Sequence, residues 1–545
     1  MSSLQKLTDR YRALSADLKN ADLRGTFALA AALRRFLSDP LSPERAEAEI
    51  KALLDDREER FLELVRKRIY ARRGSPYLKL LTLAGCEYAD LEENVRRHGL
   101  EATLEQLARQ GVYLTADEAK GKKEVTRGSQ SFWVSPGDLE NSPSTPGFVT
   151  ESSGTSNPPG RFGGSLNQLA VGALIRSIFS SAHDLFSYSH AVYDAILPAG
   201  GGVRNILSAA KVGIRTDRWF ARRVPHNTAL AGWYNYLVTY LIVGCGKLFG
   251  PGFPRPEFAD ADDVHRIVGW VLEQKREGKL CCITTAASNA TRIARVAWEM
   301  GASLEGTKFV ASGEPLTEAK RELIERVRAT VTTSYGFEDL WVRVGYGCAN
   351  PAYADELHVT QHMLALIAHP TPLAYDGPAI HPLLFTSLHP LSPRFFLNVE
   401  NGDYATLVKR DCGCLFEKVG LTLHIHGVRS YEKFTSEGMN YFYGDLFELF
   451  EKTFPSEFGG GPGDYQLVEE EDDNGQTRLT LLVHPRLGDL DEERLLLRLK
   501  ETLARGDRSR RFMANVWESA GTFRVRRQAP YASRRGKILP LHVLR

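Results

Sequence analysis

A run of hydroxyl and glycine residues has the composition of a phosphate-binding turn: Glu151-Ser152-Ser153-Gly154-Thr155-Ser156-Asn157-Pro158-Pro159-Gly160. Hydroxyl side chains and unhindered backbone amides in such a turn can hold phosphate oxygens. The run does not end in Gly-Lys-Ser or Gly-Lys-Thr, so it is not a P-loop. By composition alone, a solvated loop is an equally good interpretation.

A second group of residues has the chemistry of a metal site. Cys412 and Cys414 are separated by one glycine, and Cys348 and His358 lie upstream of them. Three thiolates and one imidazole make a tetrahedral zinc set. Four protein ligands leave no open position, so the ion would be structural. The alternative is two reduced cysteines in a turn, with His358 at the surface.

Five further motifs follow the Ser/Gly run along the chain. They are Gly313-Glu314-Pro315-Leu316, Tyr335-Gly336-Phe337-Glu338-Asp339, Gly402-Asp403, the segment 427–442 and Arg535-Gly536-Lys537. Together with the Ser/Gly run they resemble, in order, the phosphate loop, adenine loop, YGxTE motif, ribose-binding aspartate, interdomain hinge and catalytic lysine motif of the adenylate-forming superfamily. The order makes the resemblance specific, because each motif alone is weak.

Four smaller features resemble the phenylacetate–CoA ligase-like branch of that superfamily. They are Ser75-Pro76-Tyr77, the Gly200-Gly201 turn, Gly438-Met439-Asn440 and Tyr465-Gln466-Leu467-Val468. The resemblance covers the chain from about Ser42 onward. It does not extend to residues 219–262, which we interpret as an insertion.

The resemblance implies a role for each matching residue. The ATP phosphates would be held by Ser152, Ser153, Gly154, Thr155 and Ser156. The adenine pocket would be formed by Gly313, Glu314, Pro315, Tyr335 and Gly336. Asp403 would bind the ribose hydroxyls, and Arg429 would belong to the hinge. Asp339 would bind Mg²⁺, and Lys537 would neutralise the charge that develops when a carboxylate attacks the α-phosphorus.

The resemblance also extends to the metal and the acid substrate. Some ligases of this branch carry a structural zinc on a Cys…His…Cys-x-Cys arrangement, which favours zinc ligation by Cys348, His358, Cys412 and Cys414. The acid pocket would be lined by Tyr193, Gly200 and Gly201.

The chain departs from the family pattern at several positions. Asn157 and Pro158 replace a glycine and a lysine of the phosphate loop, and Glu338 replaces a threonine. Asp339 is one methylene shorter than the family's glutamate, which shifts the expected metal site. A catalytically inactive relative therefore stays an alternative.

These motifs need elements to position them, and the middle of the chain alternates between strand and helix patterns. Strands are predicted at 279–285, 308–311 and 330–334, and helices at 289–300 and 317–328 with Thr317 as a cap. Such alternation indicates a parallel sheet covered by helices. Ligands bind beyond the carboxyl ends of such strands, where the Gly313 and Gly336 loops begin.

The secondary-structure patterns at the two ends of the chain differ from the pattern in the middle. Residues 1–115 are predicted to be helical, with a start at Ser42-Pro43 and a break at Gly99. A glycine-rich break at 459–463 precedes strand and helix patterns. We therefore predict an α/β fold with a large adenylation domain, 1–426, of parallel sheets covered by helices, and a small mobile α+β domain, 427–545.

One apolar stretch, residues 229–246, has nearly the length of a membrane span. Its glycines and Asn235 favour a buried or partly buried helix. The alternative is a surface that contacts lipid or an apolar substrate.

Composition limits the function classes. The 545 residues carry a net charge of only +2, which gives no reason to expect a nucleic-acid partner. Seven cysteines and the lack of an N-terminal apolar segment favour a reducing cytoplasmic compartment.

The predicted function is ATP-dependent activation of a hydrophobic or aromatic acid, followed by transfer to CoA. Transfer to an amine or a carrier-protein thiol, a non-catalytic nucleotide-binding relative and a homodimer are left open.

Overall fold

The structure is a computed structural model that describes residues 23–141, 147–151, 161–221, 231–260, 263–372, 380–430, 435–436, 439–440, 443–471, 477–504, 523–532, 538 and 540–543. The predicted phosphate-loop residues 152–156 and Lys537 lie outside these ranges. No helix among the described residues is long and apolar enough to cross a membrane.

The described N-terminal part is helical, as predicted. Its helices are α1 (Leu23–Leu37), α2 (Pro43–Asp55), α3 (Arg57–Val65), α4 (Pro76–Leu83), α5 (Tyr88–His98), α6 (Leu100–Arg109) and α7 (Ala116–Ala119). The Ser42 hydroxyl caps α2 by accepting from the Arg45 amide at 3.2 Å. Gly99, at φ +82°, separates α5 from α6, which confirms the predicted break, because that backbone conformation favours glycine.

Two short hairpins follow, β1 (Val125–Arg127) with β2 (Gln130–Phe132), and β3 (Gly147–Glu151) with β4 (Arg161–Ser165). The β3–β4 hairpin flanks the predicted phosphate loop. Helix α8 (Leu166–Ala182) then begins directly after β4, with Ser165 as its cap.

A sheet of twelve strands forms the centre of the fold, in the order β13-β14-β15-β16-β12-β11-β10-β9-β8-β5-β6-β7. Its parallel half contains β5 (Ser189–Tyr193), β6 (Thr216–Ala221), β7 (Pro256–Phe258), β8 (Cys281–Ala286), β9 (Thr307–Ser312) and β10 (Thr330–Gly336). The connecting helices are α9 (Gly201–Lys211), α10 (Ala231–Phe249), α11 (His265–Arg276), α12 (Ala287–Glu299) and α13 (Glu318–Arg326).

The other half of the sheet is antiparallel. It consists of β11 (Arg343–Gly347), β12 (Leu357–Val359), β13 (Leu364–Ala368), β14 (Pro382–Ser387), β15 (Val399–Lys409) and β16 (Leu423–Ser430), with the short helix α14 (Leu415–Lys418) between β15 and β16. The predicted parallel sheet covered by helices is therefore present, but it is joined to an antiparallel half that the sequence pattern did not indicate.

A two-stranded ribbon of β17 (Thr435–Ser436) and β18 (Met439–Asn440) lies within the predicted hinge, 427–442. A smaller α+β unit follows, with helices α15 (Tyr443–Glu448) and α16 (Phe454–Phe458), strands β19 (Tyr465–Glu471) and β20 (Thr477–Val483), helix α17 (Glu492–Ala504), and strands β21 (Phe523–Arg527) and β22 (Leu541–Val543). Its four-stranded sheet has the order β21-β20-β19-β22. Leu446, Phe450 and Phe454 share one core with Leu467 and Leu481. The core of this unit therefore begins before the glycine-rich break at 459–463.

The segment that we interpreted as an insertion is part of the main sheet. It begins inside β6, where Trp219 is fully buried, and it ends after β7, which pairs with β6 at the edge of the sheet. The apolar stretch within it forms α10. One side of α10 is buried, as predicted, since Val238, Ile242 and Val243 lie in a core shared with α1.

Candidate nucleotide site and metal centre

The predicted ligand loops lie side by side at the carboxyl edge of the parallel strands. Strands β8, β9 and β10 are neighbours, with Ala286 opposite Ser312 and Ser312 opposite Ser334. The loop with Gly313 and the loop after Gly336 therefore leave adjacent strands in the same direction. This confirms the predicted placement, which follows from the common direction of parallel strands.

The ribose and adenine motifs meet in a hydrogen-bonded cluster. The Tyr335 hydroxyl donates to Asp403 Oδ2 at 2.6 Å, although 68 residues separate the two. The Asn401 amide donates to the same carboxylate oxygen and to the Tyr335 hydroxyl, both at 2.8 Å. Burial, followed by the Asp403 carboxylate, raises the pKa of Tyr335 well above its ordinary value. The phenol therefore stays protonated and acts as the donor.

Glu314 of the predicted adenine loop is buried and contacts residues of two neighbouring helices. Its carboxylate accepts from the Ser288 backbone amide at 2.8 Å and from the Ser288 hydroxyl at 2.5 Å. Lys320 on α13 lies 3.6 Å from Glu314 and 3.0 Å from Glu451, which follows α15. These contacts fix the adenine loop to α12 and to the segment after the hinge.

The small unit reaches this loop from the C-terminal side. The Ile538 backbone amide donates to Ser288 Oγ at 3.3 Å. Arg295 on α12 also lies 3.5 Å from Asp464, the residue before β19. Ile538, which follows the predicted catalytic Lys537 in sequence, therefore lies beside the residue that anchors the adenine loop.

The two acids that end the Tyr335 motif have different partners. Asp339 is paired with Arg394, and desolvation raises its pKa although Arg394 opposes the shift. Glu338 forms a bidentate pair with Arg204 at 2.6 and 2.8 Å. Glu338 also accepts from Thr150 Oγ1 at 3.3 Å. Since Thr150 stands two residues before Ser152, Glu338 is the acid on the side of the predicted phosphate loop.

The predicted acid-pocket residues lie at the end of β5 and the start of α9. Tyr193 is buried at the carboxyl end of β5, and Gly200 stands at φ +67° before α9. A Cβ at Gly200 would lie 2.3 Å from Thr150, and a Cβ at Gly201 would lie 2.1 Å from Asp194. Gly200 is therefore required for the close approach to Thr150 of β3, and Gly201 for the close approach to Asp194, which follows β5.

The predicted hinge residue Arg429 is held by the large domain. Its guanidinium lies 3.2 Å from Asp355 Oδ2 and over the ring of Phe447 on α15, at 5.4 Å. Asp355 also accepts from the Gly427 amide at 3.1 Å. One carboxylate thus holds both Gly427 and Arg429, which lie in the last half of β16, just before the chain leaves the main sheet.

The four predicted zinc ligands converge. The His358 Nε2 atom lies 3.2 Å from Cys414 Sγ and 3.5 Å from Cys412 Sγ. Cys348 forms a hydrogen bond with Cys414, which, with the contact to His358, lowers the pKa of Cys414 far below the ordinary thiol value. A thiolate is the form that binds metal.

The histidine of this cluster has the tautomer that a ligand needs. His358 Nδ1 lies 2.8 Å from the Leu421 carbonyl, so Nδ1 carries the proton and Nε2 points its lone pair at the thiols. His424 is a second candidate for the fourth ligand beside Cys414, since ligand atoms of Cys348, His358, Cys412 and His424 all lie within 4.8 Å of one another. The donor set and its geometry therefore fit a structural zinc ion.

Several residues of the site were not predicted. Asn401, Ser288, Arg204 and His424 all contact predicted residues, but they stand outside the motifs. Asn401 is the one with a local signal, because it lies two residues before Asp403. The others come from different elements, and their sequence neighbourhood carries no sign of the pairing.

No protein-family model matches the chain, and no curated protein matches its sequence. Solved structures do match. A structure of 2-hydroxyisobutyryl-CoA ligase in the postadenylation state, in complex with 2-HIB-AMP, covers 94% of this chain and 92% of its own, at 15% identity and a TM-score of 0.50.

Two further solved structures are similar at lower TM-scores. The same ligase with R3-HIB-AMP has 15% identity, a TM-score of 0.49 and coverage of 94% of this chain and 92% of its own. The O-succinylbenzoate coenzyme A synthetase of Bacillus subtilis, with ATP and magnesium, has 12% identity, a TM-score of 0.41 and coverage of 72% and 68%. At an identity of 15%, the ligase match with the TM-score of 0.50 establishes the fold: this chain has the fold of the adenylate-forming enzymes, as its motifs predict.

Proposed function

We propose that the chain is an ATP-dependent acid ligase, which joins a carboxylic acid to AMP and then transfers the acyl group to CoA. The observation that carries this proposal is the contact between Tyr335 and Asp403. Two motifs that the family uses for adenine and ribose touch each other here, at the edge of the sheet where parallel α/β folds bind ligands.

The arrangement supports a division of roles. Tyr335 would stack on the adenine while its hydroxyl holds Asp403 in place for the ribose hydroxyls. Glu314, fixed by Ser288 and Lys320, would shape the adenine loop. Lys537 would neutralise the charge on the α-phosphate, and the contact of its neighbour Ile538 with Ser288 supports that role.

Magnesium is the group whose predicted ligand fits least well. The Asp339 carboxylate is occupied by Arg394, and desolvation disfavours its charge. Glu338 is also paired, with Arg204, but it contacts Thr150, two residues before the predicted phosphate loop. We therefore propose Glu338 as the acid that faces Mg²⁺ when it arrives with ATP. Binding there would require Glu338 to release Arg204, whose guanidinium would then be available to the triphosphate.

The acceptor is proposed as CoA, with an amine or a carrier-protein thiol as the second candidate. The matched ligase acts on CoA by its name. The acid is proposed to be hydrophobic or aromatic because Tyr193 and the apolar Val192, Ala195 and Ile196 near the end of β5 are buried, with the buried Asp194 among them. The cluster of Cys348, His358, Cys412 and Cys414 is proposed to bind structural zinc, which would join β11, β12 and the loop after β15.

The test is acid-dependent pyrophosphate release, measured with a panel of aromatic and aliphatic acids. We expect at least one acid to stimulate release and Lys537→Ala to abolish it. Lys279→Ala is the matched control, because Lys279 is an exposed lysine outside the site, and it should keep full activity. A chain that releases no pyrophosphate with any acid but still binds ATP would be a non-catalytic relative.

The acceptor is identified in the same assay. Adding CoA, hydroxylamine or a carrier protein to the activated mixture should give a thioester, a hydroxamate or a loaded carrier. Hydroxamate formation shows adenylation alone, so it separates a failure of activation from a wrong choice of acceptor.

A further inference from the structure

Most residues of helix α10 are apolar, including several on the side that faces solvent. Leu237, Tyr240 and Leu248 are 44%, 42% and 76% exposed, and Lys247 is the only charged residue of the helix. Leu237, Tyr240, Lys247 and Leu248 stand at positions i, i+3, i+10 and i+11, which places them on one face of the helix. The solvent-facing side of a surface helix is normally polar, so this face requires an explanation.

Helix α1 extends the same surface. The two helices pack side by side in one core, and their C-terminal ends meet, since Arg34 lies over the ring of Phe249 at 5.6 Å. Phe27 on α1 is 77% exposed. We name the exposed residues Phe27, Leu237, Tyr240, Leu248 and Phe249 the α1/α10 face.

The charged residues of the two helices have one sign. Residues 219–256 contain no aspartate or glutamate, and neither does α1. The exposed ionic groups on the described parts of the helices are Arg34, Arg35 and Lys247, all near the C-terminal ends, and the exposed Asp39, two residues after α1, is paired with Arg45 and Lys211. An apolar surface on helices that carry only cations is complementary to a ligand that is apolar in its interior and anionic at its surface.

Charge also argues against a second copy of the chain. A twofold interface places the same patch on both partners, so it would bury the cations of both copies with no carboxylate on either helix to pair with them. An anionic lipid surface meets both requirements, because apolar side chains enter the acyl boundary while arginine and lysine contact the headgroups.

We propose that the α1/α10 face binds the surface of an anionic membrane. The association is interfacial, as no described helix is long and apolar enough to span a bilayer. It goes beyond the proposed ligase activity and does not depend on it.

The test is cosedimentation of the full-length protein with lipid vesicles. One set is phosphatidylcholine alone, and in the other about a quarter of the lipid is phosphatidylglycerol. We expect binding to the anionic vesicles and little binding to the neutral ones. Leu237→Glu/Leu248→Glu should lower binding at least about tenfold, and Lys247→Ala should lower it about fivefold, the effect of one cation near the surface.

Trp298→Glu is the matched control, because Trp298 is 64% exposed on α12, outside the α1/α10 face, and this variant should bind like the wild type. If the double variant fails to fold, Phe27→Ser/Tyr240→Ser serves in its place. Three results would overturn the proposal: no binding to anionic vesicles, equal binding by the face variants, or a dimer in light scattering that the face variants dissociate. The last would identify a second copy as the occupant.

Discussion

Lys320→Met should destabilise the protein strongly, because Lys320 balances two buried carboxylates. Its side chain is 3% exposed, and it lies 3.0 Å from Glu451 and 3.6 Å from Glu314, which are 7% and 0% exposed. Removing one partner of a buried ion pair costs about 3–5 kcal/mol, since the remaining charge is left uncompensated. Because two carboxylates lose their cation here, we expect the free energy of unfolding to fall by an amount near the upper end of that range.

The pH dependence has a defined sign. Burial alone would lower the pKa of Lys320, but Glu451 and Glu314 outweigh it and raise the pKa. A group whose pKa is raised in the folded state stabilises the protein fully at pH values below its unfolded-state pKa. That contribution is lost as the pH rises through its folded-state pKa. The difference in free energy of unfolding between wild type and Lys320→Met should therefore have its full size at pH 7 and should shrink at pH values above about 10.

Urea unfolding followed by tryptophan fluorescence measures this effect. Trp270 lies in the same core as Ile324 of the Lys320 helix, so its emission reports the relevant transition. Lys51→Ala is the control, because Lys51 forms an exposed pair with Glu47, and we expect a change of at most about 0.5 kcal/mol. A Lys320→Met variant within about 1 kcal/mol of wild type would refute the reasoning.

Three further predictions concern the nucleotide and metal sites. Asp403→Asn should raise the KM for ATP by about 10- to 150-fold, the loss of one charged hydrogen bond of 1.5–3 kcal/mol, while the melting temperature stays near wild type; an unchanged KM would contradict its ribose role. Glu338→Gln should raise the Mg²⁺ concentration needed for half-maximal pyrophosphate release more than Asp339→Asn does, and the opposite order would restore Asp339 as the metal ligand. Cys412→Ser should lower the affinity for zinc by about 10- to 100-fold, the loss found when residues around a metal are altered, and should lower the melting temperature; a wild-type protein that contains no zinc by elemental analysis would contradict the proposed zinc site.

The local features of the fold were largely predictable. Thr317 was expected to cap its helix, and its hydroxyl does accept from the Lys320 amide. The strand and helix patterns from 279 to 334 correspond to β8, α12, β9, α13 and β10 within a few residues. These patterns depend on neighbours in sequence, which is why sequence alone suffices for them.

The pairing of distant side chains was not predictable. Glu338 lies 134 residues from Arg204, and no periodicity connects the two, so the sequence could not show that Glu338 rather than Asp339 faces Thr150. The antiparallel half of the sheet was missed for a similar reason. Four of its strands, β11 to β14, are three to six residues long and almost wholly buried, so they lack the alternation that marks a half-exposed strand.

The zinc cluster lies between these cases. Cys412, Cys414, Cys348 and His358 were chosen by residue type and family resemblance, and the structure brings them together. The tautomer of His358, set by the Leu421 carbonyl, and the additional donor His424 depend on strand register. They emerge only from the folded chain.

The central claim is that this chain attaches a carboxylate oxygen to the α-phosphorus of ATP. Turnover of an acid labelled with ¹⁸O in both carboxylate oxygens tests it directly, with mass spectrometry of the nucleotide product. We predict AMP that carries one ¹⁸O atom, because acyl transfer leaves the attacking oxygen on the phosphate. Unlabelled AMP, or ADP with label in inorganic phosphate, would contradict the account.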